Sequence, residues 1–212
     1  ISHEINQPLF AIANFAKACE TTLSDGKRDQ LDKVLEWTHK IGQQAARAGE
    51  IIRRMRDFSR KSTPHHSTVA VADMIHEAIE LVASETKSQN IALTWDLQPP
   101  DLLVLADRIQ IEQTLVNLLR NAFRAMAENA IGDRHVAIRS QLTEGVLTIS
   151  VCDSGHGFKG VSPEEIFNPF FTTKPDGLGL GLTISRSIIE AHRGKLWAEQ
   201  NPDRGATFLF TL

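Results

Sequence analysis

A heptad repeat over the first sixty residues constrains the fold of this chain more than any other feature. Apolar residues alternate in steps of four and three through Ile5, Leu9, Ile12, Ala16, Cys19 and Leu23. A second repeat runs through Leu31, Val34, Thr38, Ile41, Ala45, Ala48, Ile52 and Met55. This is the spacing of helices with one buried stripe, and Ser24-Asp25-Gly26-Lys27 separates them with residues typical of turns. The pattern predicts a helical hairpin.

A single hairpin buries only one stripe per helix, which is too little apolar surface for a stable unit. We expect two copies to pair into a dimeric four-helix bundle. Packing of the hairpin against the rest of its own chain is the alternative.

His3 stands near the beginning of the repeat, in Ser2-His3-Glu4-Ile5-Asn6-Gln7-Pro8. On helical geometry it lies about 200° from Ile5, so it faces away from the buried stripe, and Gln7 shares its exposed face one turn later. Pro8 lacks an amide hydrogen and predicts a kink. An exposed histidine here is either a phosphoryl acceptor or a surface residue without a role, and the rest of the chain has to decide.

The remaining sequence mixes helices and strands. Residues 61–66 are polar and interrupted by proline, which indicates a linker between a domain at 1–60 and a domain at 67–212. The patterns predict helices over Val71–Ser88, Asp107 to about Glu128 and Gly179–His192, and strands over Ile91–Leu97, Val136–Leu142, Val146–Asp153, Lys195–Glu199 and Ala206–Leu212. This order favours an α/β sandwich with helices on one face of a sheet, and an α+β chain as a whole.

Composition narrows the function classes. The 212 residues carry a net charge of −3 without a basic stripe, which argues against nucleic-acid binding. No apolar run is long enough to span a membrane, and two distant cysteines in apolar stretches indicate reduced thiols in a cytoplasmic protein. Because the sequence begins two residues before His3, we expect an upstream sensor module or membrane anchor in the parent protein.

Three segments of the second domain carry candidate ligand-binding residues. Asn117 and Asn121 leave one face of a helix, amide oxygens suit Mg²⁺, and Arg124 can reach the same phosphates. Asp153 ends a strand and is followed by Gly155 and Gly157, which suits hydrogen bonding to the amine of adenine and close backbone approach to the base. Each segment has an ordinary structural explanation when taken alone.

The third segment is rich in glycine and precedes a helix, where backbone amides favour phosphate oxygens. It contains Lys174, a possible phosphate contact, and then Gly177, Leu178, Gly179, Leu180 and Gly181. The spacing is not that of a P-loop.

Together these segments resemble the N, G1, F and G2 boxes of the Bergerat-fold (GHKL) ATPases. His3-Glu4-Ile5-Asn6-Gln7-Pro8-Leu9 resembles the H box of two-component sensor histidine kinases. The resemblance covers essentially the whole chain, in the order of the family. It implies a dimerisation and phosphotransfer domain followed by a catalytic domain that binds ATP.

The resemblance also implies roles for individual residues. His3 would accept the phosphoryl group, with Glu4 as general base, and Asn121 would bind Mg²⁺ with Asn117 and Arg124 near the phosphates. Asp153 would bind adenine, Gly177, Gly179 and Gly181 would form the lid and phosphate contacts, and Thr207 would line the base pocket. Gln7 stands where many members carry Thr or Asn to position water for phosphatase activity.

We therefore expect ATP-dependent autophosphorylation of His3 and phosphoryl transfer to an aspartate of a response regulator receiver domain. Two other classes remain. A GHKL ATPase that works by hydrolysis usually carries Glu where Asn117 stands, and a dimeric scaffold would bind nucleotide without phosphoryl transfer. An acid-labile, base-stable phosphoryl label would distinguish the kinase from both.

Overall fold

The computed structural model describes residues 2–24, 30–59, 64–172 and 179–212. The chain divides into two compact units, Ile1–Lys61 and Ser62–Leu212. The boundary between the units therefore falls within the polar, proline-interrupted segment.

The first unit contains the two predicted helices, α1 (Ser2–Ser24) and α2 (Leu31–Ser59). Pro8 lies inside α1 and is buried. The thiol of Cys19 contacts the carbonyl of Val34, at 3.8 Å, and the Lys40 ammonium lies 5.6 Å from the centre of the Phe15 ring. These pairs show that α1 and α2 run antiparallel beside each other.

The hairpin uses only part of its apolar surface. Large apolar side chains stay exposed along both helices: Leu9, Phe10, Leu23, Leu31, Leu35 and Ile52. Two helices contact each other along one line, so the heptad residues that face away from that line find no partner within the hairpin.

The second unit is built on a five-stranded sheet in the order β2-β4-β5-β7-β6. The strands are β2 (Ala92–Gln98), β4 (His135–Thr143), β5 (Val146–Asp153), β6 (Leu196–Gln200) and β7 (Ala206–Thr211). β2 is parallel to β4 and the other pairs are antiparallel. A two-stranded sheet pairs β1 (Ser67–Ala70) with β3 (Leu103–Ala106).

Helices cover one face of the large sheet, as the sequence predicted. They are α3 (Val71–Leu81), α4 (Ala83–Ser88), α5 (Arg108–Ala125) and α6 (Gly181–Ala191), with a 3-10 turn at Glu165–Phe167. On β5 the odd-numbered residues from Leu147 to Asp153 are buried and the even-numbered residues are half-exposed. This alternation is that of a sheet with one face on the core, and the core is the layer between sheet and helices.

Two local features differ from the predictions. The helix predicted over 71–88 is broken at Val82, whose φ of −112° and ψ of 5° lie outside helical values. The strands β1 and β3 were not predicted because four residues are too few to show an alternating pattern. The hairpin between β4 and β5 turns on Glu144 and Gly145, both with positive φ, as a two-residue turn of this kind requires.

Cys19 and Cys152 are free thiols and are partly buried, not fully buried. Among the residues that the structure describes, no helix is long and apolar enough to cross a membrane.

Candidate active site

The helix α5 carries the first group of candidate residues. Asp107 caps its beginning, since the carboxylate accepts a hydrogen bond from the amide of Gln110 at 3.3 Å. One face of the helix is buried in the core and is apolar apart from Thr114. Asn117 and Asn121 lie one turn apart and are half-buried, whereas Arg124 is exposed. The amide nitrogen of Asn117 donates to the hydroxyl of Ser185 on α6, at 3.0 Å.

Asp153 is the last residue of β5 and its side chain is only 3% exposed. Its Oδ1 atom accepts hydrogen bonds from the amides of Gly155, at 2.7 Å, and of Ala206, at 3.3 Å. Within the described ranges no protein group donates to Oδ2. The carboxylate is thus held by one oxygen while the other can accept a hydrogen bond from a ligand.

Burial raises the pKa of Asp153 above its ordinary value, against the opposing effects of the Gly155 and Ala206 amides and of the charge on His156. An acidic group with a raised pKa is a frequent mark of a functional site. It does not by itself identify the ligand.

Two glycines bring loops into direct contact with α5. A Cβ on Gly155 would lie 2.6 Å from the Cβ of Ala125, and a Cβ on Gly181 would lie 2.6 Å from Oδ1 of Asn117. Side chains at these positions would push both segments away from the helix. The Asp153 loop therefore meets α5 at Ala125 and the beginning of α6 meets it at Asn117, about 12 Å apart along the helix axis.

The structure describes some of the other residues predicted in the glycine-containing segments, and others lie outside the described residues. Gly157 and Gly179 have φ values of 65° and 62°, which glycine adopts without strain. Leu180 is buried and immediately precedes α6. Lys174, Gly177 and Leu178 lie outside the described residues, so their predicted phosphate contacts remain predictions.

The structure corrects the predicted contact of Thr207 with the base. Thr207 pairs with Cys152 on the neighbouring strand, so its side chain leaves the opposite face of the sheet from Asp153. Its hydroxyl donates to Oδ1 of Asn201 at 2.6 Å, and the amide of Asn201 donates to the carbonyl of Asp153 at 3.0 Å. Thr207 thus supports the Asp153 loop from the opposite face of the sheet, through Asn201. Ala206 lies on the same face as Asp153.

Several residues of the site were not predicted. Ser185 was missed although it lies three residues after Leu182 and four before Ile189, on the apolar stripe of α6. A polar residue on an apolar helix stripe is a sequence signal for a buried polar contact. Asn129 donates to the carbonyl of Ser154 at 2.8 Å, and no sequence pattern distinguishes it from a loop residue.

The first unit holds the histidine segment. His3 and Glu4 lie within α1, and their side chains are outside the described part. The side chain of Gln7 is exposed, in agreement with its predicted face.

Comparison with known proteins gives a family match for each of the two units. The sequence profile of the histidine kinase-, DNA gyrase B- and HSP90-like ATPases matches residues 106–212, and that of the His Kinase A (phospho-acceptor) domain matches residues 1–64. The chain is 42% identical to the sensor protein FixL of Bradyrhizobium diazoefficiens, over 100% of this chain and 42% of that protein. It is 37% identical to the C4-dicarboxylate transport sensor protein DctS of Rhodobacter capsulatus, over 100% of this chain and 32% of that protein. It spans less than half the length of these two relatives.

Solved structures agree with these matches. The catalytic domain of the histidine kinase ThkA is 36% identical, with a TM-score of 0.63 over 70% of this chain and 95% of that chain. ThkA in complex with the response regulator protein TrrA is 30% identical, with a TM-score of 0.73 over 100% of this chain and 59% of that chain. From the fold, the site and these matches, we conclude that the chain belongs to the sensor histidine kinases of two-component systems.

Proposed function

We propose that this chain transfers the terminal phosphoryl group of ATP to His3 and then to an aspartate of a response regulator receiver domain. One observation carries the proposal more than any other. A single helix, α5, contacts the loop of a buried carboxylate at one end and a glycine at the beginning of α6 at the other. The distance between these contacts suits a nucleotide whose base lies at Asp153 and whose phosphates lie near Asn117.

The residues also fit a magnesium ion. The side chain of Asn121 is half-buried, and in the part of the chain that the structure describes it makes no hydrogen bond. An amide that no described residue engages is available to a ligand, and amide oxygens suit Mg²⁺. A bound Mg²⁺ would offset the negative charge of the phosphates. Asn121 would hold the ion, with Asn117 and Arg124 beside it.

His3 supplies the nucleophile of the proposed reaction. A neutral imidazole is available at neutral pH because the ordinary pKa of histidine is about 6.5. One ring nitrogen attacks the terminal phosphorus, the bond from that phosphorus to the oxygen of ADP breaks, and the other ring nitrogen releases its proton to Glu4. Arg124 and the amides of Gly179 and Gly181 would stabilise the charge on the phosphoryl oxygens, and we expect Lys174, Gly177 and Leu178 to contribute there.

The proposal includes a homodimer and movement between the units. Apolar side chains left exposed on α1 and α2 would be covered by the hairpin of a second copy. Since His3 and the nucleotide site belong to different units, residues 61–66 would act as a hinge. Gln7, one turn after His3, would orient water for phosphatase activity, and an upstream sensor module would set the balance between the two activities.

Replacing His3 with Gln tests the assignment directly. We expect His3→Gln to lose the acid-labile, base-stable label from [γ-³²P]ATP and to bind a fluorescent ATP analogue as the unsubstituted chain does. Asn121→Ala should lose both label and tight binding. Label that persists in His3→Gln would contradict the proposal, and nucleotide binding without any label in the unsubstituted chain would favour the scaffold.

Mixing the two variants gives a further readout. If the nucleotide site of one protomer phosphorylates His3 of its partner, mixed dimers of His3→Gln and Asn121→Ala recover label. If each protomer phosphorylates itself, the mixture stays unlabelled.

A further inference from the structure

A buried hydrogen bond joins the two helices of the nucleotide site. Ser185 on α6 is 2% exposed, and its hydroxyl accepts a hydrogen bond from the amide nitrogen of Asn117 on α5, at 3.0 Å. A buried serine on an apolar helix stripe is unfavourable without such a partner. The partner here is one of the residues proposed to lie near the phosphates.

This hydrogen bond also fixes the direction of the Asn117 side chain. With its nitrogen on Ser185, the amide directs Oδ1 at Gly181, where an added Cβ would lie 2.6 Å away. The side chain of Asn117 thus occupies the space that a side chain at Gly181 would fill. The Asn117 side chain therefore lies beside the first residue of α6, about one helical turn before Ser185.

Among the described residues, the first turn of α6 makes one further side-chain hydrogen bond, from the Thr183 hydroxyl to the carbonyl of Phe167 at 3.1 Å, and this bond does not involve α5. Leu180 precedes the helix and makes no side-chain cap hydrogen bond. The first amides of a helix have no partner within it and attract anions. Their position relative to α5 therefore depends on how Asn117 is held between Gly181 and Ser185.

We propose that Ser185 is a positioning residue for nucleotide binding, which it supports by holding Asn117 against the beginning of α6. The inference rests on the proposed function, because it assumes that the phosphates lie between these helices. Without the hydroxyl, the Asn117 amide loses its partner and can rotate. Asn117 would then no longer keep Gly181 and the following amides at a fixed position.

Ser185 needs a control that separates this role from general stability. Ser140 on β4 is 4% exposed, and its hydroxyl accepts a hydrogen bond from the amide of Gln98 at 3.1 Å. In the part of the chain that the structure describes, Ser140 shares no hydrogen bond with α5 or α6. Ser140→Ala therefore removes a buried serine hydroxyl of the same kind at a place outside the site.

The affinity of the whole chain for a fluorescent ATP analogue with Mg²⁺ provides the first readout. We expect Ser185→Ala to bind the analogue about tenfold more weakly, which corresponds to one lost hydrogen bond to a half-buried amide. Ser140→Ala should bind within about twofold of the unsubstituted chain although its melting temperature also falls. Equal losses of affinity in both variants, or unchanged affinity in Ser185→Ala, would overturn the inference.

The side-chain amide resonances of Asn117 provide a second readout that stability alone does not move. In a ¹H–¹⁵N spectrum they should shift in Ser185→Ala and stay in place in Ser140→Ala. Ser185→Thr, which keeps the hydroxyl, should restore both the resonances and the affinity. If the resonances stay in place in Ser185→Ala, Ser185 does not act through Asn117.

These outcomes separate the inference from the function on which it rests. An unsubstituted chain that does not bind the ATP analogue would overturn the proposed function, and the inference with it. Binding by the unsubstituted chain together with unchanged binding by Ser185→Ala would overturn the inference alone.

Discussion

At the scale of single residues, Asp153 shows a conflict between stability and ligand binding. Its carboxylate is buried, and burial raises its pKa because the charged form is poorly solvated. The Gly155 and Ala206 amides offset part of this cost at Oδ1. The remaining cost is that of keeping a carboxylate oxygen available in a buried place.

Asp153→Asn should separate these two effects. The amide oxygen of Asn can accept the same two backbone hydrogen bonds, while the substitution removes the buried charge. We expect an unchanged or higher melting temperature at pH 7 together with a loss of nucleotide affinity of about tenfold or more, because a donor replaces the acceptor at Oδ2. Thermal unfolding and titration with the ATP analogue measure the two effects, and a large fall in melting temperature would contradict the account.

The same carboxylate makes stability depend on pH. A folded-state pKa that is raised above the unfolded value of about 3.9 means that the contribution of Asp153 to stability is full below about pH 4 and is lost as the pH rises through the raised value. The difference in unfolding free energy between Asp153→Asn and the unsubstituted chain should therefore grow in favour of the variant over that interval. Urea unfolding at a series of pH values measures it, and a difference that shrinks as the pH rises would contradict the sign.

The sequence predicted some residues of the candidate site and not others. Asp153 and its glycines stand in a short motif, and the helical spacing of Asn117 and Asn121 fixes their common face. Thr207 was assigned to the base pocket through the family resemblance, but it pairs with Cys152 on β5, so its side chain lies on the opposite face of the sheet from Asp153. Ser185 acts through a contact between two helices that are far apart in the chain.

At the scale of elements, the end of α6 contains a strained residue. Arg193 follows the helix with a φ of 63°, a conformation that side chains other than glycine adopt at a cost. The amide of Gly194 nevertheless donates to the carbonyl of Ile189 at 2.9 Å, which closes the helix in the usual way. The backbone here has the geometry that favours glycine at residue 193.

Arg193→Gly should stabilise the second unit by about 0.5–1 kcal/mol, because relief of the left-handed strain exceeds the added flexibility of the unfolded chain. Arg193→Ala is the matched control, since it removes the same side chain and keeps the strain. Chemical denaturation of both variants tests the explanation. An equal gain in the two would show that the arginine side chain, not the backbone, is responsible.

Longer helices were predicted from the sequence more accurately than short strands. The periodic patterns of α1, α2 and α5 extend over several turns, and those helices were predicted at close to their observed positions. The break at Val82 coincides with the end of the apolar pattern of α3, because α4 is polar and buries no residue, so the change of pattern was a signal that the prediction of one continuous helix did not use. β1 and β3 pair with each other across more than thirty residues, and their short sequences carry no information about that pairing.

At the scale of the whole molecule, the hairpin exposes apolar side chains that a single copy does not cover. Leu35 is 72% exposed, and Leu9, Leu23 and Leu31 are each about half exposed or more. A surface of this kind usually marks an interface. The sequence predicted a dimer for the same reason, from the small surface that one hairpin buries.

Leu35→Glu should convert the proposed dimer into a monomer at micromolar concentration, because the substitution would place a charge within its apolar interface. Ile109 on α5 is 74% exposed, and Ile109→Glu makes the same chemical change in the other unit. We expect that control to remain dimeric. Light scattering coupled to size exclusion gives the mass of each, and a dimer of Leu35→Glu with full stability would contradict an interface at this position.

The contacts of α5 have a consequence for which nucleotides the site can accept. The Asp153 loop and the beginning of α6 are both fixed to one continuous helix, at Ala125 and at Asn117, and a helix does not stretch. On the proposed assignment of base and phosphates, the separation between the two contacts is set by eight residues of helix. We therefore expect adenosine and AMP to contact the Asp153 end alone, and a nucleotide with a longer phosphate chain to contact both ends at once.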